Sequence, residues 1–200
     1  MKLLGVVLAG GQSCRMGRNK LFVELDGKRL IDHAVDRLSK QIPDIVVNAP
    51  NTDDLRDIEC PIVADSLGGF QGPLAGILSG LQYATEHGFD GIITVAADTP
   101  FFPDNYVSQL SEVKDNIAIA ATRADKLNLH PVFGLWPCDA AQTVKGALDA
   151  DRRKVMWAAE IFGWKAVEFE CSHIDPFFNI NTPEDLRQAE QIIAHESIRN

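Results

Sequence analysis

The chain has 200 residues, 46% hydrophobic and 24% charged, which is enough apolar material for one domain, residues 1–200, around a continuous core. Its 19 lysines and arginines against 28 acids give a net charge of −9, which argues against nonspecific nucleic-acid binding and against attachment to an anionic membrane. The balance is uneven, because Lys2, Arg15, Arg18 and Lys20 stand in the first 23 residues without one Asp or Glu. Cys14, Cys60, Cys138 and Cys171 form no C-x-x-C pair, and the five histidines show no ligand spacing, so a reduced, cytoplasmic protein is expected. The amino-terminal apolar run is about seven residues long, too short to span a bilayer and without a secretory cleavage site.

In chain order, L-L-G-V-V-L-A (3 to 9) reads as a strand and runs into the glycine-rich stretch G-G-Q-S-C-R-M-G-R-N-K, which ends at Lys20. Leu30, Ile31, Ala34, Val35 and Leu38 then make a helical stripe. Two further apolar runs, D-I-V-V-N (44 to 48) and P-I-V-A-D (61 to 65), precede a second stripe of Leu74, Ile77, Leu78, Leu81 and Ala84. G-I-I-T-V-A-A-D (91 to 98) is the next strand. These runs are apolar on both alternating faces, so they are expected to be buried beneath helices on either side. The second half predicts strands at 117–121 and 131–136, helices near 139–149 and 153–162, and a half-wet strand from Lys165 to Glu170. In N-T-P-E-D-L, Thr182 suits an N-cap, Pro183 the first helical position and Asp185 the acidic third position. Alternating strands and helices predict an α/β fold with a mostly parallel sheet and right-handed crossovers.

Such a sheet binds ligands at the carboxyl ends of its strands. The residues that end the apolar runs are Gly10 and Gly11, Asn48, Asp65 and Asp98. Any one of them is better explained by a preference for turns, but the coincidence of four along one edge is less easily dismissed. The first loop carries more specific chemistry. Gly10 and Gly11 let backbone approach a ligand, Gly17 permits a positive-φ turn, and successive amides there form an anion-binding concavity. Arg15 can grip phosphate oxygens with its planar fork, and Lys20 offers a compact charge to a leaving pyrophosphate. The G-K-[ST] ending of an ATPase loop and the G-x-G-x-x-G pattern of dinucleotide binders are both missing. Asp98, followed by Thr99 and Pro100, suits Mg²⁺, which takes one or two carboxylates together with phosphate oxygens and water. Asn179 and Asn181 flank Ile180, so in extended chain their side chains share a face that could hold a phosphate or ribose.

The stretch L-A-G-G-Q-S-C-R-M-G-x-x-K resembles the signature loop of the MobA-like nucleotidyltransferases. Q-G-P-L-A-G (71 to 76), A-D-T-P (97 to 100), H-P (130 and 131), R-R-K-V-M (152 to 156) and F-N-I-N-T-P-E-D-L (178 to 186) extend the likeness to the molybdenum cofactor guanylyltransferase family. The resemblance implies a three-layer α/β/α, Rossmann-like nucleotidyltransferase fold. It implies transfer of GMP from GTP to the phosphate of molybdenum-molybdopterin, with release of pyrophosphate. By the same likeness Leu8, Ala9 and Gly10 contact the nucleotide, Arg15 and Lys20 hold its phosphates, and Asn48 and Asp65 help bind GTP. Asp98 sits at the magnesium, and Asn179 and Asn181 lie toward the molybdopterin, with Arg153 a further candidate there. Asn19 departs from the Asp that often precedes the family lysine. Proteins that insert molybdenum or deliver finished cofactor are implied partners.

Phosphoryl-type transfer needs positioning and charge neutralisation more than a protein nucleophile, which agrees with a chain offering cations and one metal carboxylate. Two other readings are open at this point. One is a transferase using CTP or another phosphorylated acceptor, and the other is a non-catalytic carrier of nucleotide or cofactor.

Overall fold

All seven apolar runs occupy a single seven-stranded sheet in the computed structural model, which describes residues 1–10, 22–50, 55, 57–66, 72–171 and 175–199, the last five as backbone. The strands are β1 (Leu3–Leu8), β4 (Ile45–Ala49), β5 (Ile62–Ala64), β6 (Gly91–Ala96), β7 (Ile117–Arg123), β8 (Leu127–Pro137) and β9 (Trp164–Phe169). A small hairpin of β2 (Glu24–Leu25) and β3 (Lys28–Arg29) lies outside that sheet, and neither it nor the short helix α3 (Tyr106–Leu110) is visible in the apolar patterning. The other helices are α1 (Leu30–Ser39), α2 (Pro73–Glu86), α4 (Ala141–Asp149), α5 (Val155–Phe162) and α6 (Pro183–Arg199).

Strand order is β5-β4-β1-β6-β8-β7-β9, parallel throughout except that β8 runs against both β6 and β7. The reversal follows from connection length. The expected strands at 117–121 and 131–136 both grow toward each other until only residues 124–126 separate them, and a connection that short can join only antiparallel neighbours.

Alternation along β1 divides the interior into two layers. Leu4, Val6 and Leu8 pack with α2, α4 and α5, whereas Val7 packs with α1 and with the aromatic group of Phe102, Tyr106, Phe133 and Phe177. This is a three-layer α/β/α arrangement, with the central strands buried on both faces. β5 departs from that expectation. It is an edge strand, and its three residues are half-buried or exposed. A third cluster, Leu25, Leu30, Ile180 and Ala189, fastens α6 across the small hairpin. No helix among the described residues is long and apolar enough to cross a membrane.

Candidate nucleotide and acceptor site

The ladder continues past the last paired residues of the central strands. Ala9 N–H donates to Asn48 O at 2.8 Å and Ala97 N–H to Leu8 O at 3.1 Å, which holds the ends of β1, β4 and β6 side by side. Along this carboxyl edge lies a cavity of ≈ 320 Å³, with Leu8, Ala9 and Gly10 on its floor and Ala96, Ala97 and Asp98 beside them. A cleft of ≈ 20 Å³ shares Leu8, Gly10 and Pro73 with it and adds Asn48, Asp65, Gly72 and Gly76.

Asn48 is 2% exposed, and its amide donates to Val63 O at 3.1 Å and to Asp65 Oδ1 at 3.0 Å. Its position depends on α2. A Cβ on Gly76 would lie 2.2 Å from Asn48 Oδ1, so only glycine lets the helix pass this close. The same helix begins at the cavity. Gly72 takes φ +74°, a conformation that L side chains rarely adopt, and Pro73 occupies the first turn, where a missing N–H costs nothing. An amino-terminal helix end of this kind favours anions.

Asp98 lines the larger cavity and is tied to its neighbours there. The buried hydroxyl of Thr99 lies 3.2 Å from Asp98 Oδ1 and also donates to Asn179 Oδ1, and Ile180 N–H donates to Asp98 O at 3.0 Å. Asn179 thereby joins the cavity wall, whereas Asn181 and Thr182 give their backbone N–H groups to Asp185 Oδ2, both at 2.8 Å. Asp185 N–H returns a bond to Thr182 Oγ1 at 3.1 Å, which completes the expected cap. Asn179 lines the cavity, and the backbone N–H of Asn181 serves the helix start.

The far wall comes from β8. Its register against β7 breaks between Ile119 and Ala120, so that Gly134 pairs with Ile119 and His130 with Ala120, leaving Pro131, Val132 and Phe133 bulged. Pro131 cannot donate to a ladder, which makes a bulge at this point the natural outcome. Thr94, fully buried, anchors it by donating to Val132 O at 2.7 Å. The bulge turns His130, Pro131 and Phe133 into the cavity. His130 Nε2 lies 2.9 Å from Thr122 Oγ1 and 3.7 Å from Asp175 Oδ2, and its ring stands 4.5 Å from that of Phe177. Burial pushes its pKa down against the opposing pull of Asp175, which favours the neutral ring.

Of the residues singled out in the sequence, Leu8, Ala9, Gly10, Asn48, Asp65, Asp98 and Asn179 line these two connected spaces. Gly11, Arg15, Gly17, Asn19 and Lys20 fall outside the described residues. Arg153 lies in the turn between α4 and α5, bonded to Asp151 at 2.9 Å, and does not line the cavity. A search for polar strand ends passes over Thr99, His130, Phe177 and the Gly72–Gly76 start of α2, all but Phe177 lying in the A-D-T-P, H-P and Q-G-P-L-A-G stretches that carry the family resemblance. The available signals were a proline inside an apolar run and glycines spaced one helical turn apart. No group of three or more His, Cys, Asp or Glu among the described residues makes a metal cage. Asp98 offers the cavity one carboxylate, which fits an ion held mainly by phosphate oxygens and water.

The architecture is found in nucleotide-activating enzymes. CMP:2-keto-3-deoxy-manno-octonic acid synthetase superimposes with a TM-score of 0.76 at 12% identity over 98% of this chain and 100% of that one. Molybdopterin-guanine dinucleotide biosynthesis protein A from Archaeoglobus fulgidus does so with a TM-score of 0.73 at 24% identity over 96% and 99%. These likenesses show the fold; the class, nucleotidyltransferase, follows from the family match. Residues 5–162 match the MobA-like NTP transferase domain, and the chain belongs to that family. It is 40% identical to the molybdenum cofactor guanylyltransferase of Rhizobium leguminosarum bv. trifolii over 95% of this chain and 92% of that relative. The enzyme class read from the sequence, a nucleotidyltransferase of molybdenum cofactor biosynthesis, therefore holds.

Proposed function

We propose that the 200 residues act as one domain that joins GMP from GTP to the phosphate of molybdenum-loaded molybdopterin. A phosphate oxygen of the acceptor attacks the α-phosphorus of GTP, the bond from that phosphorus to the bridging oxygen breaks, and pyrophosphate departs with the electron pair. The attacking oxygen is already ionised at neutral pH, so no protein nucleophile or general base is needed. The obstacle is repulsion between two anions.

The observation that carries this reading is the arrangement along the sheet edge. Asn48, Asp65 and the start of α2 line one space, the β8 bulge, Asn179 and Asp98 line the other, and Leu8, Gly10 and Pro73 are common to both. Asn48, Asp65, Leu8, Ala9 and Gly10 would hold the nucleotide, with Gly11 and Gly17 shaping the loop and Arg15 and Lys20 on its phosphates. Asp98 would hold Mg²⁺, which when bound supplies charge neutralisation to the phosphates. Asn179 would receive the acceptor, with Asn181 two residues further along the chain; Arg153, outside the cavity, is given no part. A reducing, cytoplasmic setting is supported by Cys60, Cys138 and Cys171, all free thiols. Partners that insert molybdenum or carry away the product fit the same scheme.

The test supplies GTP or CTP with molybdenum-loaded molybdopterin and Mg²⁺ and identifies the dinucleotide formed. A guanine dinucleotide with stoichiometric pyrophosphate is the expected product. A cytosine dinucleotide would reassign the base pocket, and nucleotide binding without any pyrophosphate would make the protein a carrier.

A further inference from the structure

We propose that Thr99 is a positioning residue whose one hydroxyl couples the carboxylate of Asp98 to the side-chain amide of Asn179, and so sets the acceptor side of the site in register with the nucleotide side. The inference rests on the roles given above to Asp98 and Asn179. Thr99 is 0% exposed, so its hydroxyl has no water to turn to. Oγ1 is within bonding reach of two oxygens, Asp98 Oδ1 at 3.2 Å and Asn179 Oδ1. It has one proton to give. The backbone that carries the side chain is tied down, because Thr99 N–H bonds to Ala96 O at 3.3 Å and Pro100 follows in a buried turn. The backbone repeats the connection, since Ile180 N–H donates to Asp98 O at 3.0 Å.

The competition for that proton has a chemical consequence. When the proton goes to Asn179 Oδ1, the amide is held with its NH₂ turned away from Thr99, which makes Asn179 a donor for an anion in the cavity. When Asp98 takes it, Asn179 loses that constraint and its amide turns freely. Neutralising the charge on Asp98 weakens its hold on the proton and shifts it toward Asn179. Occupation of the nucleotide side therefore aligns the residue that meets the acceptor, through one hydroxyl and without backbone movement.

The test compares Thr99→Val, which keeps the shape and removes the hydroxyl, with Thr99→Ser, Asn179→Ala and the double variant Thr99→Val/Asn179→Ala. Steady-state kinetics in both substrates are measured beside equilibrium GTP binding and thermal unfolding. Thr99→Val is expected to raise the KM for acceptor about tenfold, the scale of one lost hydrogen bond to a charge-bearing site, while the Kd for GTP changes less than about twofold. Thr99→Ser restores the acceptor KM, and the double variant is no worse than Asn179→Ala alone. Additive effects in the double variant, failure of Ser to rescue, or a loss of GTP affinity as large as the loss for acceptor would each overturn the proposal. Should Thr99→Val fail to fold, Asn179→Asp decides. It sets a second carboxylate against the same hydroxyl and removes the NH₂ donor, and an unchanged acceptor KM would end the idea. A wild-type protein that makes no dinucleotide removes the underlying reading and this inference with it. Failure of the coupling alone appears only among variants of an active enzyme.

Discussion

Asn48 shows how a residue expected from its place at a strand end becomes part of a site only through a neighbour that patterning does not mark. Its carboxamide is held between β5 and α2, and the helix can lie there because position 76 has no side chain. Gly76→Ala places a methyl 2.2 Å from Asn48 Oδ1 and 2.8 Å from Leu8 Cδ2, so it should cost about 1–3 kcal/mol of stability and weaken GTP binding, as read by urea unfolding and titration. Gly146→Ala is the control. It lies inside α4 with nothing within 4 Å of the added methyl, and should stabilise by about 0.5–1 kcal/mol. His130 gives a pH signature. Its pKa lies below the ordinary 6.5 because burial disfavours the charged ring. As the pH falls the unfolded chain takes up that proton first, so the stability held in the neutral ring is complete above about pH 6.5 and is lost toward the lower folded value. His130→Gln should flatten the decline in melting temperature between about pH 7 and pH 5. An equally steep decline in the variant would assign the effect to other groups. Lys20→Ala and Asp98→Ala should each lower turnover more than about tenfold, equivalent to ~1.4 kcal/mol or more in the barrier. A fully active, folded Asp98→Ala protein would remove the carboxylate from the metal's site.

Among the elements, legibility follows burial. Runs such as Gly91–Ala96 are apolar on both faces because helices cover both sides, and they are readable in the sequence without knowledge of their partners. The cap of α6 was legible for a different reason: Thr182, Pro183 and Asp185 are local chemistry, and the hydrogen bonds among them form as the spacing requires. Thr182→Ala should therefore cost about 1 kcal/mol by chemical unfolding, and it should also loosen Ile180 and Asn179, which precede the cap. What escaped the sequence depends on partners distant along the chain. The direction of β8 was set by strand extensions whose residues Leu127–Leu129 look like loop, being exposed or half-buried beside the cavity. The bulge at Pro131 is held by Thr94, 38 residues earlier, whose hydroxyl reads as an ordinary β-branched core position until Val132 O is placed against it. Two-residue strands such as Glu24–Leu25 carry too short a period to register at all.

Across the whole molecule, the charge distribution must be reconciled with the chemistry. A chain of net charge −9 brings together two anionic substrates, and the sheet edge that receives them adds Asp65 and Asp98 to the negative potential. Arg15, Arg18 and Lys20, outside the described residues, stand in a stretch without acid, and on the proposed reading attraction of GTP depends on their local field set against an unfavourable global one. Screening affects the two differently. Charges farther away than a Debye length of about 8–10 Å are already muted at physiological salt, whereas cations touching phosphate would lose their attraction only as salt rises further. Raising ionic strength from physiological levels should therefore increase the KM for GTP. The rise should be smaller in Arg15→Gln and Lys20→Gln, which begin from a weaker affinity. Lowering ionic strength should produce the opposite conflict, since the global repulsion reappears, and the apparent affinity of wild type should level off instead of climbing. A KM for GTP that is indifferent to salt in the wild type, or a slope unchanged in both variants, would mean that hydrogen bonds from backbone and from Asn48 carry the nucleotide and that these cations do not.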